Sequence, residues 1–204
     1  MSHFTKTGHY WELRYSSGET SGTGSYGRLA EFKANVLNEF VKNRGIESVI
    51  EFGCGDGNQL SLADYPSYIG LDISKKAIAI CSKRLIGDNT KKFYVYNSLS
   101  NFNKDKLSAD LSLSLDVIFH LVEDQVYEAY MTHLFKAAKS YVIIYSSNFD
   151  KKFSSYERHR AFVPWIDIHC TNWQLIDKID NLYPYDATDS ENTSYADFYI
   201  YKKT

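Results

Sequence analysis

Three glycines on alternate positions, Gly53, Gly55 and Gly57, follow the apolar run Val49-Ile50-Glu51-Phe52, and the carboxylates Glu51 and Asp56 stand among them. An apolar run that passes at once into Gly-x-Gly-x-Gly predicts a buried strand turning sharply towards a helix, with backbone N–H groups free to face a ligand. Glycine suits that turn because, without a Cβ, it takes positive φ at little cost and lets another molecule approach the main chain. The spacing sorts the ligand. In a dinucleotide fingerprint a third glycine packs helix on strand, and in a phosphate-cradling loop a lysine follows the glycines. Here Asn58 stands where that third glycine would fall, and no lysine follows. Carboxylates at 51 and 56 repel a pyrophosphate and attract a cation, so a phosphate ligand is not expected at the turn.

A second short apolar run, Tyr68-Ile69-Gly70-Leu71, ends in Asp72-Ile73-Ser74, and Asp72 stands 19 positions after Gly53. A carboxylate at that distance, at the tip of the neighbouring strand, is placed to accept both hydroxyls of a ribose. The alternative is an ordinary tight turn with Asp72 only capping a helix before Ser74.

The combination of Glu51-x-Gly53-x-Gly55-x-Gly57 with a strand ending in Gly70-x-Asp72 resembles the class I S-adenosylmethionine (SAM) dependent methyltransferases. The resemblance implies SAM as cofactor and S-adenosylhomocysteine (SAH) as product. The glycine turn, Glu51, Gly53, Cys54, Gly55, Asp56, Gly57 and Asn58, would carry the methionine part, and Asp72 with Ile73 the ribose. Asn97 and Ser98 stand where the family often places an acid for the adenine amino group; Asn97 could meet that edge through its amide. Leu115 and Asp116, after the fourth strand, complete the expected cofactor set.

The N-terminal stretch to Gly27 shows no clear hydrophobic period but combines Gly, Ser and Thr with Tyr10, Trp11, Arg14, Tyr15 and Tyr26. Such a stretch is either a linker or a loop that closes over a site, and its aromatic content favours closure. In the family this region often lies over SAM. Arg14 would then pair with the methionine carboxylate, and Tyr10, Trp11 or Tyr26 would face the sulfonium by cation–π attraction.

Methyl transfer asks mainly for positioning, plus a base where the acceptor loses a proton. His120, just past the fourth strand, is the first candidate base and His159 the second, since histidine titrates near neutral pH. His120 could equally be a helix-start histidine bonded to the backbone. The run Tyr156-Glu157-Arg158-His159-Arg160 suits an anionic acceptor, with Tyr156, Arg158 and Arg160 as its contacts; a solvated helix face is the alternative.

The elements that must position these residues follow from periodicity. Apolar positions from Leu29 to Val41 predict a helix over 28–42 ending at Gly45, and Ser74 caps a helix running through Arg84. Strands are expected near 48–52, 68–71, 93–96, 109–115 and 141–145, with a short helix near 59–63 and another over 126–139. An irregular segment covers 151–165, and strands near 173–179 and 197–201 form a terminal hairpin. This alternation predicts one α/β domain spanning 1–204, with a lid and helix over 1–44 and a Rossmann-like core over 45–204. The expected fold is a doubly wound, mostly parallel sheet with an antiparallel last strand and helices on both faces.

Composition bounds the remaining choices. The chain has 204 residues, 44% hydrophobic and 24% charged, with a formal charge of −2. That balance counts against bulk nucleic-acid binding. Its three cysteines are too few and scattered for a disulfide framework. Asp167, His169 and Cys170 read as helix end and core, so no metal is expected. Neither a signal-peptide core nor a run of ~20 apolar residues is present, which predicts a cytoplasmic chain without membrane insertion.

Asp/Asn-Pro-Pro-Tyr/Phe, usual in methyltransferases of exocyclic amines, is absent after the fourth strand, and no Cys follows a Pro as in cytosine C5 enzymes. Beyond the SAM signature, Tyr10-Trp11-Glu12-x-Arg14-Tyr15, Ser21-Gly22-x-Gly24-Ser25-Tyr26-Gly27-Arg28-Leu29, His159-Arg160-x-Phe162 and Ala196-Asp197-Phe198-Tyr199-Ile200-Tyr201 look similar to small methyltransferases encoded among bacterial capsule and surface-polysaccharide genes. That likeness implies O-methylation of a sugar, a nucleotide-linked glycosyl intermediate or a phosphoramidate-type group. Competing readings are an RNA or protein methyltransferase, and a SAM-binding partner subunit without catalysis.

Overall fold

The computed structural model describes residues 6–204; the first five positions of the expected lid lie outside the described residues. The sheet is built from β1 (Val49–Phe52), β2 (Tyr68–Asp72), β3 (Lys91–Val95), β4 (Ala109–Leu115), β5 (Ala138–Ser146), β8 (Trp173–Ile179) and β9 (Asp197–Lys203), in the order β3-β2-β1-β4-β5-β9-β8. The first five strands pair in parallel, and β9 runs antiparallel between β5 and β8. A separate two-stranded ladder joins β6 (Lys151–Lys152) to β7 (Arg158–His159). β1 is buried along its whole length, as a central parallel strand covered on both faces must be.

Alternation along the strands divides the core in two. Ile50, Phe52, Val142 and Ile144 point to the face covered by α4 (Asp124–Ala137) and α5 (Phe162–His169). Val49, Leu111, Leu113, Ile143 and Tyr145 point to the face covered by α2 (Gly27–Arg44) and α3 (Lys75–Arg84). Glu51 shares the parity of Val49, so its carboxylate faces α2. Ser74 caps α3 by accepting the Ala77 N–H at 3.1 Å, and Gly45 ends α2 in the left-handed region.

Two segments differ from the expectation. The N-terminal stretch begins with a helix, α1 (Lys6–Ser16), whose buried residues are Thr7, Gly8 and Tyr15. With a threonine, a glycine and a tyrosine as its buried positions, it carries no apolar stripe. The segment expected to be irregular to Trp165 already becomes helical at Phe162. Pro164 sits in the first turn of α5, where its missing N–H has no intrahelical acceptor to lose, and Phe162 and Ile166 bury one face.

Candidate active site

β1 leaves the sheet at Gly53, whose φ of +87° is left-handed; a Cβ there would collide with the Val117 side chain. The turn is tied to β2, since the Gly53 and Cys54 N–H groups donate to Leu71 O at 2.7 and 3.0 Å. The Asp72 carboxylate accepts the Gly55 N–H at 3.0 Å and the Ser74 N–H at 2.8 Å. Burial pushes its pKa up to about 6, against the pull of those two N–H groups.

α1 and the loop to Tyr26 close over this turn. Ser21 N–H donates to Asp56 Oδ2 at 3.0 Å, and the Asp56 N–H donates to Ser21 Oγ at 2.9 Å. The Tyr26 hydroxyl adds a third bond, to Asp56 Oδ2. Burial alone would raise the Asp56 pKa, but these donors and the Asn58 N–H hold it below its ordinary value. Further along, Glu12 accepts the Ser74 hydroxyl at 2.7 Å, and the Thr7 hydroxyl lies 3.0 Å from His120 O and 2.7 Å from Glu123 Oε2. The helix is therefore strapped at both ends, to α3 and to the loop after β4.

Beneath this lid lies a cleft with about 930 Å³ of non-atom space, its open mouth included. Lys33, Glu51, Gln59 and Asp116 are among the residues that line it. Lys33 is 1% exposed, and its ammonium donates to Asp116 Oδ2 at 2.6 Å. Asp116 is the non-glycine residue with positive φ among the described residues, at +58°. Glu51 accepts the Tyr68 hydroxyl at 2.6 Å, and burial lifts its pKa to about 7 despite that bond and the nearby Lys33. Ile73 and Val117 supply apolar lining, with Tyr96 and Ser98 beside them.

His120 also lines the cleft, in a helical turn over Ile118–His120. Its ring meets Trp11 edge-on at 5.0 Å, and its Nδ1 lies 3.4 Å from Tyr156 O. Burial lowers its pKa, so the imidazole is neutral at pH 7. An Nδ1–H facing that carbonyl leaves the Nε2 lone pair as the acceptor.

Of the residues singled out in the sequence, Trp11, Glu51, Gly53, Cys54, Gly55, Asp56, Asp72, Ile73, Ser98, Leu115, Asp116 and His120 line the cleft. Gly57, Asn58 and Asn97 lie outside its lining; Asn58 ties the turn to the lid by donating to Ser25 O at 2.8 Å, and Asn97 accepts the Leu99 N–H. Arg14 donates to Thr20 O at 2.8 Å and pairs with Glu19 at 3.3 Å, which braces the lid loop. Tyr10 stacks on Tyr156 at 4.7 Å. His159 is buried between the rings of Phe119 and Phe149, with Ser147 Oγ at one ring nitrogen and Glu157 at the other. Arg158 and Arg160 both pair with Asp124, at 2.8 and 2.7 Å, and lock the loop before α4.

Sequence reasoning passed over Lys33 and Gln59. The signal for Lys33 was present: it stands four residues after Leu29 and four before Leu37, a lysine inside the buried stripe of α2. Nothing in the local sequence marks Gln59.

Fold and site together define a Rossmann-like α/β domain with a polar-tipped cleft at the carboxyl ends of its parallel strands. Residues 49–140, from β1 into β5, match the family model described as a methyltransferase domain. No curated protein matches the chain in sequence. Among solved structures, the N-methyltransferase NodS from Bradyrhizobium japonicum WM9, in complex with SAH, is 13% identical with a TM-score of 0.76, over 98% of this chain and 99% of that one. Magnesium protoporphyrin IX methyltransferase (ChlM) from Synechocystis PCC 6803, with bound SAM, is 15% identical with a TM-score of 0.69 over the whole of both chains. The methyltransferase domain of bacterial CtHen1-C is 19% identical with a TM-score of 0.64, over 84% of this chain and 96% of that one.

Proposed function

We propose that the cleft binds SAM and that the chain transfers its methyl group to an oxygen of a small anionic or glycosyl acceptor, as a cytoplasmic enzyme of bacterial capsule or surface-polysaccharide synthesis. The observation that carries this reading is the buried Asp72 carboxylate at the tip of β2, held against the glycine turn in a cleft also lined by Glu51, Asp116 and His120. The residues present fit the donor. Asp72 suits the ribose hydroxyls, Ile73 and Val117 the adenine faces, and Glu51 with Asp72 the positive charge. SAM supplies a methyl group on a sulfonium, and the chain's own part is to orient it and exclude water beneath α1. His120 Nε2 is the group that would take a proton from an acceptor hydroxyl; a phosphate or carboxylate oxygen needs no such step.

The strapped lid and the aromatic mouth at Trp11 and His120 favour a small acceptor over a polymer, and the charge of −2 disfavours RNA. The test has two parts. Calorimetric titration of SAM and SAH should show binding to wild type, weakened at least ~10-fold in Asp72→Asn, about the loss of one charged hydrogen bond. Transfer of labelled methyl should then occur to sugar nucleotides or phosphorylated sugars. Failure of wild type to bind either nucleoside removes the reading; transfer to RNA alone replaces the acceptor; binding without transfer to any acceptor favours a partner subunit.

A further inference from the structure

Resting on the reading that SAM occupies the cleft, we propose that Lys33 and Gln59 form a receptor for the α-amino acid end of the donor. Lys33 would bind the carboxylate and Gln59 Oε1 the ammonium, so the pair makes the site specific for nucleosides that carry an intact amino acid.

The first observation is an orphaned atom. Gln59 is 7% exposed and lines the cleft, and its Oε1 is buried with no hydrogen-bond partner. The amide orientation is fixed by chemistry: the other end donates to Ala30 O at 3.0 Å, and a carbonyl can be met only by the NH₂ side. A buried acceptor without a donor costs about 1–3 kcal/mol, which a donor entering the cleft would recover. The missing partner is a donor, which an ammonium supplies.

The second observation is the buried ammonium. Lys33 follows Ala30 by three residues, so it leaves α2 on the same face as the carbonyl that orients Gln59. Asp116 takes one of its three N–H donors, and it has no second hydrogen-bond acceptor among the described residues. The Tyr145 ring, 5.2 Å from Nζ, covers another side of the charge. A lysine this deep is retained at a desolvation cost that the Asp116 ion pair, with Glu51 nearby, offsets only in part. An anion entering the cleft would find there a cation stripped of water.

Lys33 and Gln59 line the same cleft as Asp72, Ile73 and the glycine turn. Arg14, the cation expected to bind the carboxylate, is occupied by Thr20 O and Glu19 and lies outside the cleft lining.

Binding of three nucleosides tests this without any acceptor: SAH, its decarboxylated analogue, and 5′-methylthioadenosine, which lacks the whole amino acid. Wild type is expected to bind SAH at least ~100-fold tighter than methylthioadenosine, the loss of two charged contacts. Lys33→Met should weaken SAH at least ~10-fold, leave methylthioadenosine within about 2-fold, and leave the decarboxylated analogue nearly unchanged. Gln59→Leu should weaken SAH and the decarboxylated analogue alike. Retained methylthioadenosine binding reports that each variant is folded. If Lys33→Met alone does not fold, Lys33→Met/Asp116→Asn, which leaves no charge unpaired, is expected to show the same pattern. SAH affinity within 2-fold of wild type in the folded variants would overturn the inference and leave the proposed function standing. Absence of all nucleoside binding in wild type would remove both.

Discussion

The Tyr26 hydroxyl donates to Asp56 Oδ2 at 2.8 Å, so the last residue of the lid is bonded to a side chain of the glycine turn it covers. Ser21 bonds to the same residue twice, through its N–H and its Oγ. A carboxylate within the turn therefore fastens the lid.

Tyr26→Phe removes one of these bonds and keeps the ring. SAH should dissociate several-fold faster, and amides of residues 17–26 should exchange hydrogen faster, in line with about 1 kcal/mol for one hydrogen bond. Unchanged exchange would show that the lid is held elsewhere.

Gly24→Ala tests the same closure from the other side. A Cβ at 24 would stand 2.9 Å from Asp116 Oδ2, and that carboxylate is pinned by Lys33, so neither partner can yield cheaply. The variant should lose roughly 1–2 kcal/mol of stability, read from urea unfolding, and bind SAH more weakly.

Glu51 links stability to pH. Its pKa is raised from 4.5 to about 7 in the folded chain, so the native state holds a proton that the unfolded chain has released. Stability from this group is fully present below pH 4.5 and is lost as pH rises through about 7, by up to about 3 kcal/mol. Glu51→Gln keeps an acceptor for the Tyr68 hydroxyl without the charge. It should unfold at higher urea than wild type at pH 8, with the difference vanishing near pH 5.

Asp72 titrates in the range where binding is measured. With its pKa pushed up to about 6 by burial, protonation on acidification removes the charged acceptor proposed for the ribose. SAH affinity should fall as pH drops through about 6, and Asp72→Asn should be weak at every pH. A flat wild-type profile from pH 8 to 5 would contradict the ribose assignment.

His120→Gln should lower kcat roughly 10²–10⁴-fold for a hydroxyl acceptor while leaving SAH affinity near wild type. Because burial lowers the imidazole pKa below its ordinary 6.5, the acid limb of the wild-type rate profile should lie below that pH and vanish in the variant. A phosphate or carboxylate acceptor would show little change.

Much was legible in the one-dimensional chain because it follows from local rules. The glycine turn, Asp72 at the next strand tip and the alternation of apolar strands with amphipathic helices are set by φ preference, side-chain parity and helical period. Those rules carried the sheet, its antiparallel β9 and the carboxylates of the cleft. What they could not carry was the partner of each charged side chain, since ion pairs join residues far apart in sequence and depend on packing. Arg14 binds Glu19, and Arg158 and Arg160 share Asp124, although their composition suggested ligands. α1 escaped the period because its buried positions are a threonine, a glycine and a tyrosine, and His159 was withdrawn into an aromatic sandwich. Only the tertiary structure set Lys33 against Asp116, 83 positions away, and left Gln59 Oε1 without a donor. Burial decides those facts, and burial is a property of the packed molecule.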